Sequence, residues 1–198
     1  MLSGRWWHQN APRFALLDCA DPAVVDARYQ RHSEPGVWYA SSKERSAWAE
    51  LARHTLTPDL SPFELRRRVG RVRVTGLRVL DLTNHHVRAH VSVSEAELVG
   101  DDYARCQQLA EMARDAGLDG LIAPSAALEG HQTLTVFAHV LDDANKIVGE
   151  HSRVQVPPVT LLDVLPGVRP VGEQAAAVRA LFDRLVSQGR DAVRRARR

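Results

Sequence analysis

Short apolar runs alternate with helically spaced apolar positions along this chain, a pattern typical of a domain that mixes strands and helices. The proline-containing stretch before residue 37 lacks such a pattern and is predicted to be irregular. Residues 37–40 are apolar and aromatic, which predicts a short buried strand. Ser41 and Glu44 then have the spacing of a capping box, and apolar residues recur at helical intervals to about residue 54. We therefore expect a strand, a tight turn and a helix.

Four further segments predict additional strands: three apolar runs, and residues 71–74, in which Arg and Val alternate. Residues 71–74 and 79–82 lie on either side of a turn at Gly76. Residues 121–123 and 133–140 lie on either side of a short loop that contains proline, serine and glycine. These runs favour a sheet built from short strands.

Two more helices are predicted in the second half of the chain. Asp101 or Asp102 can cap the first of them, and Gly117 is placed to end it. Its apolar stripe consists of Cys106, Leu109, Ala110 and Ala113. A proline-rich stretch then leads to a last amphipathic helix from about residue 173, which ends in a run of arginines. We expect the apolar side of this helix to pack on the same domain.

Composition narrows the class of protein without identifying it. The 198 residues are 44% hydrophobic and 25% charged, which excludes a wholly disordered chain and suits one packed domain. The formal net charge is +2, too small for binding to nucleic acid or a membrane through a general positive field. Lys43 and Lys146 are the only lysines among 26 basic residues, a bias that genome composition alone can produce. We therefore expect no direct nucleic-acid or membrane binding.

Cysteine usage and the apolar runs predict a soluble cytoplasmic protein. Cys19 and Cys106 have neither a CxxC nor a metal-type spacing, which fits a reducing compartment. The sequence contains no signal-peptide apolar region and no run of about 20 apolar residues. His86 and His90 would share a face of a helix, but no third ligand accompanies them, so no metal site is predicted.

Four polar residues are candidates for chemistry because of where the predicted elements place them. Arg28 precedes the first predicted strand, Tyr39 lies near its end, and Glu50 lies within the helix that follows. Ser125 enters a loop directly after another predicted strand. Taken alone, these residues are consistent with an ordinary Arg28–Glu50 ion pair, a core tyrosine and a turn serine.

The surroundings of these four residues match a known family. Eight short stretches keep a common order over roughly residues 4–138: WHQ (7–9), ARYQR (27–31), VWYASS (37–42), AWAE (47–50), VLDLT (79–83), GDDY (100–103), DGLIAPSAA (119–127) and LTVF (134–137). Each stretch is weak by itself, but the ordered set is specific. The sequence resembles the RES-domain family, the toxin half of Xre/RES toxin–antitoxin pairs.

The resemblance implies a fold and a domain organisation. The fold implied is a compact single α+β domain similar to the ADP-ribosyltransferase-like fold. It would have a mixed or antiparallel central sheet, flanking helices and a C-terminal helix. Residues 1–140 would form the catalytic domain, and residues 141–198 an extension that ends in the amphipathic helix.

The resemblance also implies an enzyme that consumes NAD by breaking the bond between nicotinamide and ribose. The arginine of the family's GRW segment falls on Arg28, and its tyrosine, glutamate and serine fall on Tyr39, Glu50 and Ser125. Glu50, Arg28 and Tyr39 would be catalytic, because a carboxylate can stabilise the positive ribose and a guanidinium can bind the pyrophosphate. Tyr39 and Arg28 would also bind substrate, with Ser125 contacting a phosphate or a ribose hydroxyl.

One position departs from the family pattern. The family's first arginine falls on His8, whose imidazole lacks the permanent charge of a guanidinium. His8 remains a candidate for substrate binding. We expect anion binding there to be weaker, more pH-dependent, or shared with Arg5 or Arg31.

No cofactor or metal is expected; the resemblance implies that NAD would be the substrate and that phosphate or water would be the acceptor. The family further implies a partner, a helix-turn-helix antitoxin of the Xre type. Two alternatives stay open: an ADP-ribosyltransferase that modifies a macromolecule, and a catalytically impaired RES-like binding protein. Whether the chain forms a homo-oligomer is also open.

Overall fold

The computed structural model describes residues 1–19, 26–55, 66–155, 167–169 and 187. The strands are β1 (Leu2–Asn10), β2 (Val37–Ser41), β3 (Arg67–Leu77), β4 (Val79–Asp81), β5 (Gly120–Pro124), β6 (Gln132–Phe137) and β7 (Ile147–Gln155). The helices are α1 (Glu44–Thr55), α2 (His85–His90), α3 (Glu95–Val99) and α4 (Ala104–Asp115), and a 3₁₀ turn spans Ala138–Val140.

The strands form one mixed sheet in the order β4-β5-β6-β2-β1-β3-β7. The β4–β5 pair is parallel and the other neighbouring pairs are antiparallel. The domain is therefore α+β with a mixed central sheet, as predicted.

Two strands lie where no strand was predicted. β1 occupies the stretch predicted to be irregular, and it pairs with β2 on one side and β3 on the other. β7 pairs with β3 at the sheet edge, where most of its side chains are exposed or half-buried. Neither strand has the regular alternation of apolar and polar residues that marks a half-buried strand. In β1, for example, Gly4, Arg5, His8 and Gln9 lie among the apolar residues. Backbone pairing with distant segments therefore determines where both strands form.

β1 pairs extensively with one of its neighbours and only briefly with the other. β1 and β3 pair from Leu2 to Asn10, whereas β1 and β2 share a single registered pair, Trp7 with Ser41. Beyond this pair the His8 side chain, not the backbone, bonds to the carbonyl of Tyr39 in β2. β1 and β2 thus share one registered residue pair and one side-chain contact to the backbone.

α1 and α4 confirm the two internal helices that the sequence predicts. Cys106, Leu109, Ala110 and Ala113 of α4 are buried, as the apolar stripe requires. The predicted aspartate cap is wrong, because Tyr103 occupies the N-cap position without a side-chain capping bond, although the Asp102 carboxylate accepts a hydrogen bond of 3.0 Å from the amide of Ala104. Gly117 ends the helix with a φ of +65°. The capping box predicted for α1 is wrong, since Ser41 belongs to β2 and Glu44 is the first residue of the helix, not its third.

The first residue of β5 shows why one glycine is needed. A Cβ atom on Gly120 would lie 2.0 Å from the carbonyl oxygen of Thr135 in β6. Only glycine allows the two strands to pair this closely at that point. Because β5 leads directly to Ser125, this pairing helps to fix the position of the loop that follows.

The C-terminal part of the chain is described only in pieces. The amphipathic helix predicted from about residue 173 lies outside the described residues. Within the segment 141–198, β7 pairs along its length with β3, and Val168 forms an isolated bridge with Leu128. None of the helices in the described part is long and apolar enough to cross a membrane.

Candidate active site

Four of the five site residues predicted from the sequence line one cavity. His8, Arg28, Tyr39 and Glu50 meet around a space of about 470 Å³, although they come from β1, the segment before β2, β2 itself and α1. Ser125 is buried and does not line this space, but it contacts Glu50 from behind. A cavity of this size can accommodate a small organic ligand.

Glu50 is held by two hydroxyl groups through the same carboxylate oxygen. Ser125 Oγ donates a hydrogen bond of 3.2 Å to Oε1, and Thr133 Oγ1 donates one of 3.3 Å. The other oxygen, Oε2, lies 3.9 Å from Nε2 of His54. One oxygen of the carboxylate is therefore fixed by the fold, which leaves Oε2 for a ligand in the cavity.

The surroundings of Glu50 disfavour its charged form. Burial raises the pKa of Glu50 above its usual value, while the Ser125 hydroxyl and the charge of Arg28 act in the opposite direction. The Glu50 side chain keeps 24% of its surface exposed, so it remains accessible to a ligand. A carboxylate with reduced hydration interacts strongly with a positive charge that develops beside it.

Arg28 is fixed in place by backbone carbonyls and an aromatic ring. Its Nη1 donates hydrogen bonds of 2.8 Å to the carbonyl of Leu98 and 2.7 Å to that of Gly100. Its guanidinium carbon lies 4.6 Å from the centre of the Tyr103 ring. No carboxylate forms an ion pair with Arg28 among the described residues. Its positive charge is therefore available to an anionic ligand in the cavity.

Tyr39 contributes a protonated hydroxyl. Burial raises the pKa of Tyr39 well above its usual range, so the phenol keeps its proton. Its oxygen accepts a hydrogen bond of 3.2 Å from the backbone N–H of Tyr29. The hydroxyl proton of Tyr39 can therefore be donated to a ligand.

His8 is a neutral residue in this site. Its Nδ1 lies 2.5 Å from the carbonyl oxygen of Tyr39, and its ring packs 4.6 Å from that of Trp38. Burial lowers the pKa of His8 to about 4, and the nearby charge of Arg67 contributes to this shift. At neutral pH His8 therefore does not supply the positive charge that the family arginine would carry.

The arginines expected to share this role lie elsewhere. Arg5 pairs with Glu150 at 3.2 Å, and Arg31 pairs with Glu34 and Glu111 at 3.0 Å each. Neither arginine lines the cavity. The expectation that Arg5 or Arg31 shares the anion-binding role is therefore wrong for this structure, because acidic residues outside the cavity hold both side chains.

Sequence reasoning missed several residues around the cavity. Arg67 of β3 lines the space beside His8, and Thr133 of β6 holds Glu50. Neither could be found from local spacing, because each reaches the site through strand pairing. Tyr103 could have been suspected, since it lies in the matched GDDY stretch.

Arg53 is a further missed residue, three positions after Glu50 on α1. Its side chain is only 2% exposed. Nη1 donates hydrogen bonds to the carbonyls of Ala126 at 2.8 Å and Arg169 at 2.6 Å, and Nη2 contacts Asp101 at 2.6 Å. Arg53 thereby joins α1 to the loop after β5, to the segment before α4 and to residues 167–169.

The described residues contain no candidate metal-binding site. Within the ranges that the structure describes, no three His, Cys, Asp or Glu side chains form a cluster able to hold a metal ion. The residues around the cavity instead combine a fixed carboxylate, guanidinium groups and aromatic rings.

This fold and site define a small α+β domain with a charged, partly enclosed ligand cavity. Residues 4–162 match the family model described as RES domain, and the chain belongs to the RES-domain family. The chain is 50% identical over 197 residues to the probable NAD(+) phosphorylase Rv3189 of Mycobacterium tuberculosis (strain ATCC 25618 / H37Rv). That match covers 100% of this chain and 93% of the relative.

A solved structure has a similar fold. The match is to a chain in the crystal structure of the M. tuberculosis MbcT-MbcA toxin–antitoxin complex, with a TM-score of 0.71 and 20% sequence identity. It covers 82% of this chain and 89% of that chain. At this identity the likeness concerns the fold alone.

Proposed function

We propose that this chain is the toxin of a toxin–antitoxin pair and consumes NAD as an NAD phosphorylase. The carrying observation is the Glu50 carboxylate, which two hydroxyls hold through Oε1 while Oε2 stays available in a cavity that also contains Arg28. The relative that is 50% identical is named a probable NAD(+) phosphorylase, which supports the same chemistry here.

The proposed reaction exchanges one bond at the anomeric carbon of the nicotinamide ribose. The carbon–nitrogen bond to nicotinamide breaks, and its electron pair leaves with neutral nicotinamide. A phosphate oxygen then forms the new bond to the same carbon, which gives ADP-ribose 1″-phosphate. Positive charge develops on the ribose as nicotinamide leaves, and the carboxylate of Glu50 stabilises it.

Arg28 and Tyr39 bind and orient the dinucleotide in this proposal. The Arg28 guanidinium binds the pyrophosphate through charge-assisted hydrogen bonds, and its contacts with Leu98 and Gly100 keep it in position beforehand. The Tyr39 hydroxyl donates to the substrate, and its ring forms part of the wall. Ser125 orients Glu50 through its hydrogen bond.

The test is the release of nicotinamide from NAD by purified chain, measured by chromatography with and without phosphate. We expect nicotinamide and ADP-ribose 1″-phosphate from the wild type with phosphate, and release at least about 100-fold slower from Glu50→Gln. Glu44→Gln, on the same helix but away from the cavity, is the matched control. The absence of nicotinamide from the wild-type reaction would refute the proposal and favour a non-catalytic binding protein.

The acceptor distinguishes phosphorolysis from the two related reactions. Water as acceptor gives ADP-ribose, whether or not phosphate is present. A transferase leaves label on protein or nucleic acid when labelled NAD is incubated with lysate. We propose phosphate as the acceptor and no cofactor.

The proposed cellular setting follows from the family. We infer that the chain acts in the cytoplasm and that an Xre-type antitoxin protein blocks its cavity. Fold similarity to a chain of a toxin–antitoxin complex supports a protein partner. We also infer that the sheet is related to that of the ADP-ribosyltransferase toxins. Expression of this chain should arrest growth, and co-expression of the neighbouring antitoxin gene should relieve that arrest. Growth arrest that co-expression does not relieve would refute the proposed antitoxin partner.

A further inference from the structure

Two guanidinium groups, those of Arg28 and Arg67, line the cavity, and their charges affect the pKa values of different residues. Burial raises the pKa of Glu50, and the charge of Arg28 opposes that rise; burial lowers the pKa of His54 and of His8, and the charges of Arg28 and Arg67, respectively, add to those two shifts. Arg28 comes from the segment before β2, and Arg67 begins β3. The cavity therefore holds two separate cationic groups, although one dinucleotide pyrophosphate can be bound by one of them.

Arg67 carries a half-buried charge without an acidic partner. Its Nε donates a hydrogen bond of 2.6 Å to Oε1 of Gln9, and no carboxylate lies within ion-pair distance of it among the described residues. Burial lowers the pKa of Arg67 accordingly. Removing a charge from water without pairing it is unfavourable, so this guanidinium is suited to an anionic ligand.

His8 adds an acceptor beside this donor. Because the Tyr39 carbonyl can only accept, the Nδ1 that contacts it carries the proton of the neutral ring. Nε2 is therefore an acceptor, and it is buried without a hydrogen-bond partner in the described part of the chain. A ligand that brings a donor to this position would satisfy it.

We propose that Arg67, Gln9 and His8 form a subsite for the inorganic phosphate that attacks NAD. Arg67 donates to two phosphate oxygens, Gln9 holds Arg67 in place, and Nε2 of His8 accepts the hydrogen bond of the phosphate hydroxyl. Monohydrogen phosphate and arsenate carry such a hydroxyl at neutral pH, whereas sulfate does not. The subsite thus selects its anion by the proton that the anion carries. This inference rests on the proposed NAD-consuming function.

The experiment compares Arg67→Gln with Arg66→Gln, a matched control at the preceding, exposed position outside the cavity. Initial rates of nicotinamide release give the KM for phosphate and for NAD separately. We expect Arg67→Gln to raise the KM for phosphate about tenfold or more and to change the KM for NAD less than about threefold. Arg67→Lys, which keeps the charge, should recover part of the loss, and Arg66→Gln should behave like the wild type.

Anion choice supplies a second readout. Arsenate should replace phosphate in the wild type, and sulfate should neither replace it nor compete with it. Equal increases of both KM values in Arg67→Gln, or competition by sulfate as strong as that by arsenate, would overturn the subsite.

A binding measurement separates this inference from the proposed function. Isothermal titration of phosphate into the chain without NAD should detect binding by the wild type, about tenfold weaker binding by Arg67→Gln, and unchanged binding by Arg66→Gln. If the wild type cleaves NAD equally well without phosphate, the function stands and the subsite is wrong. If the wild type leaves NAD intact, the function is wrong and the titration alone decides whether the subsite exists.

Discussion

The Ser125 hydroxyl donates a hydrogen bond of 3.2 Å to Oε1 of Glu50, a residue 75 positions away in the sequence. Its oxygen also accepts the backbone N–H groups of Ala127 and Leu128, at 3.2 and 3.1 Å. Three hydrogen bonds thus fix this hydroxyl behind the carboxylate. Ser125 is therefore a positioning residue for Glu50 in this structure, while direct contact with substrate stays a prediction.

Ser125→Ala should reduce kcat about tenfold and shift the pH–rate profile. The Ser125 hydrogen bond lowers the pKa of Glu50, so its loss raises that pKa further. Activity that needs the charged carboxylate should then begin to fall at a higher pH as the solution is acidified.

Thr133→Val is the matched comparison for Ser125→Ala, because Thr133 donates to the same oxygen of Glu50. We expect a shift in the same direction from each variant. A loss of kcat without movement of the acid limb would mean that Ser125 supports the loop only.

Glu50→Gln should lower kcat about 100-fold or more, because it removes the charge that stabilises the transition state. Burial in the fold raises the pKa of Glu50. At pH values above the pKa of Glu50 in the unfolded chain, the ionised carboxylate therefore destabilises the native state relative to the unfolded state. At pH 7 the neutral amide should therefore raise Tm in thermal unfolding. Glu44→Gln on the same helix should leave kcat unchanged, and a lower Tm for Glu50→Gln would contradict the prediction.

His8 should make the protein less stable in mild acid. Its pKa is about 4 in the fold against an ordinary value of 6.5, so the unfolded chain binds the extra proton between these values. The free energy of unfolding should therefore fall by roughly 3 kcal/mol from pH 7 to pH 4 through this residue.

The measurement for His8 is denaturant unfolding at several pH values for the wild type and His8→Gln. The glutamine amide can still donate to the Tyr39 carbonyl but does not titrate. Comparing the two proteins removes the contribution of Glu50, whose raised pKa acts in the opposite direction. If the free energy of unfolding changes equally with pH in the two proteins, the pKa of His8 is the same in the folded and the unfolded chain.

Arg53→Gln should destabilise the protein by about 2 kcal/mol or more, because the buried carbonyls it satisfies would lose their donor. Asp101→Asn should cost only about 0–1 kcal/mol, since the Asp101 side chain is 49% exposed. Urea unfolding of both variants checks the difference. Equal losses would mean that the Arg53–Asp101 ion pair, and not the carbonyl contacts, provides the stability.

Local sequence patterns were sufficient to predict the elements that local interactions stabilise. α1 and α4 follow from apolar spacing, and the end of α4 follows from Gly117. Arg28, Tyr39 and Glu50 follow from the ordered motifs of the RES-domain family, and they do line one cavity. The same patterns missed β1 and β7, whose backbone hydrogen bonds are made to distant strands.

The sequence by itself determined the α+β class, the internal helices and the family to which the chain belongs. Only the tertiary structure decided what surrounds the site residues. It set Ser125 behind Glu50, made His8 a neutral residue, and brought Arg67 beside it. The physical reason is that burial, hydrogen bonding and charge act through space. These interactions join residues that strand pairing brings together from distant parts of the chain.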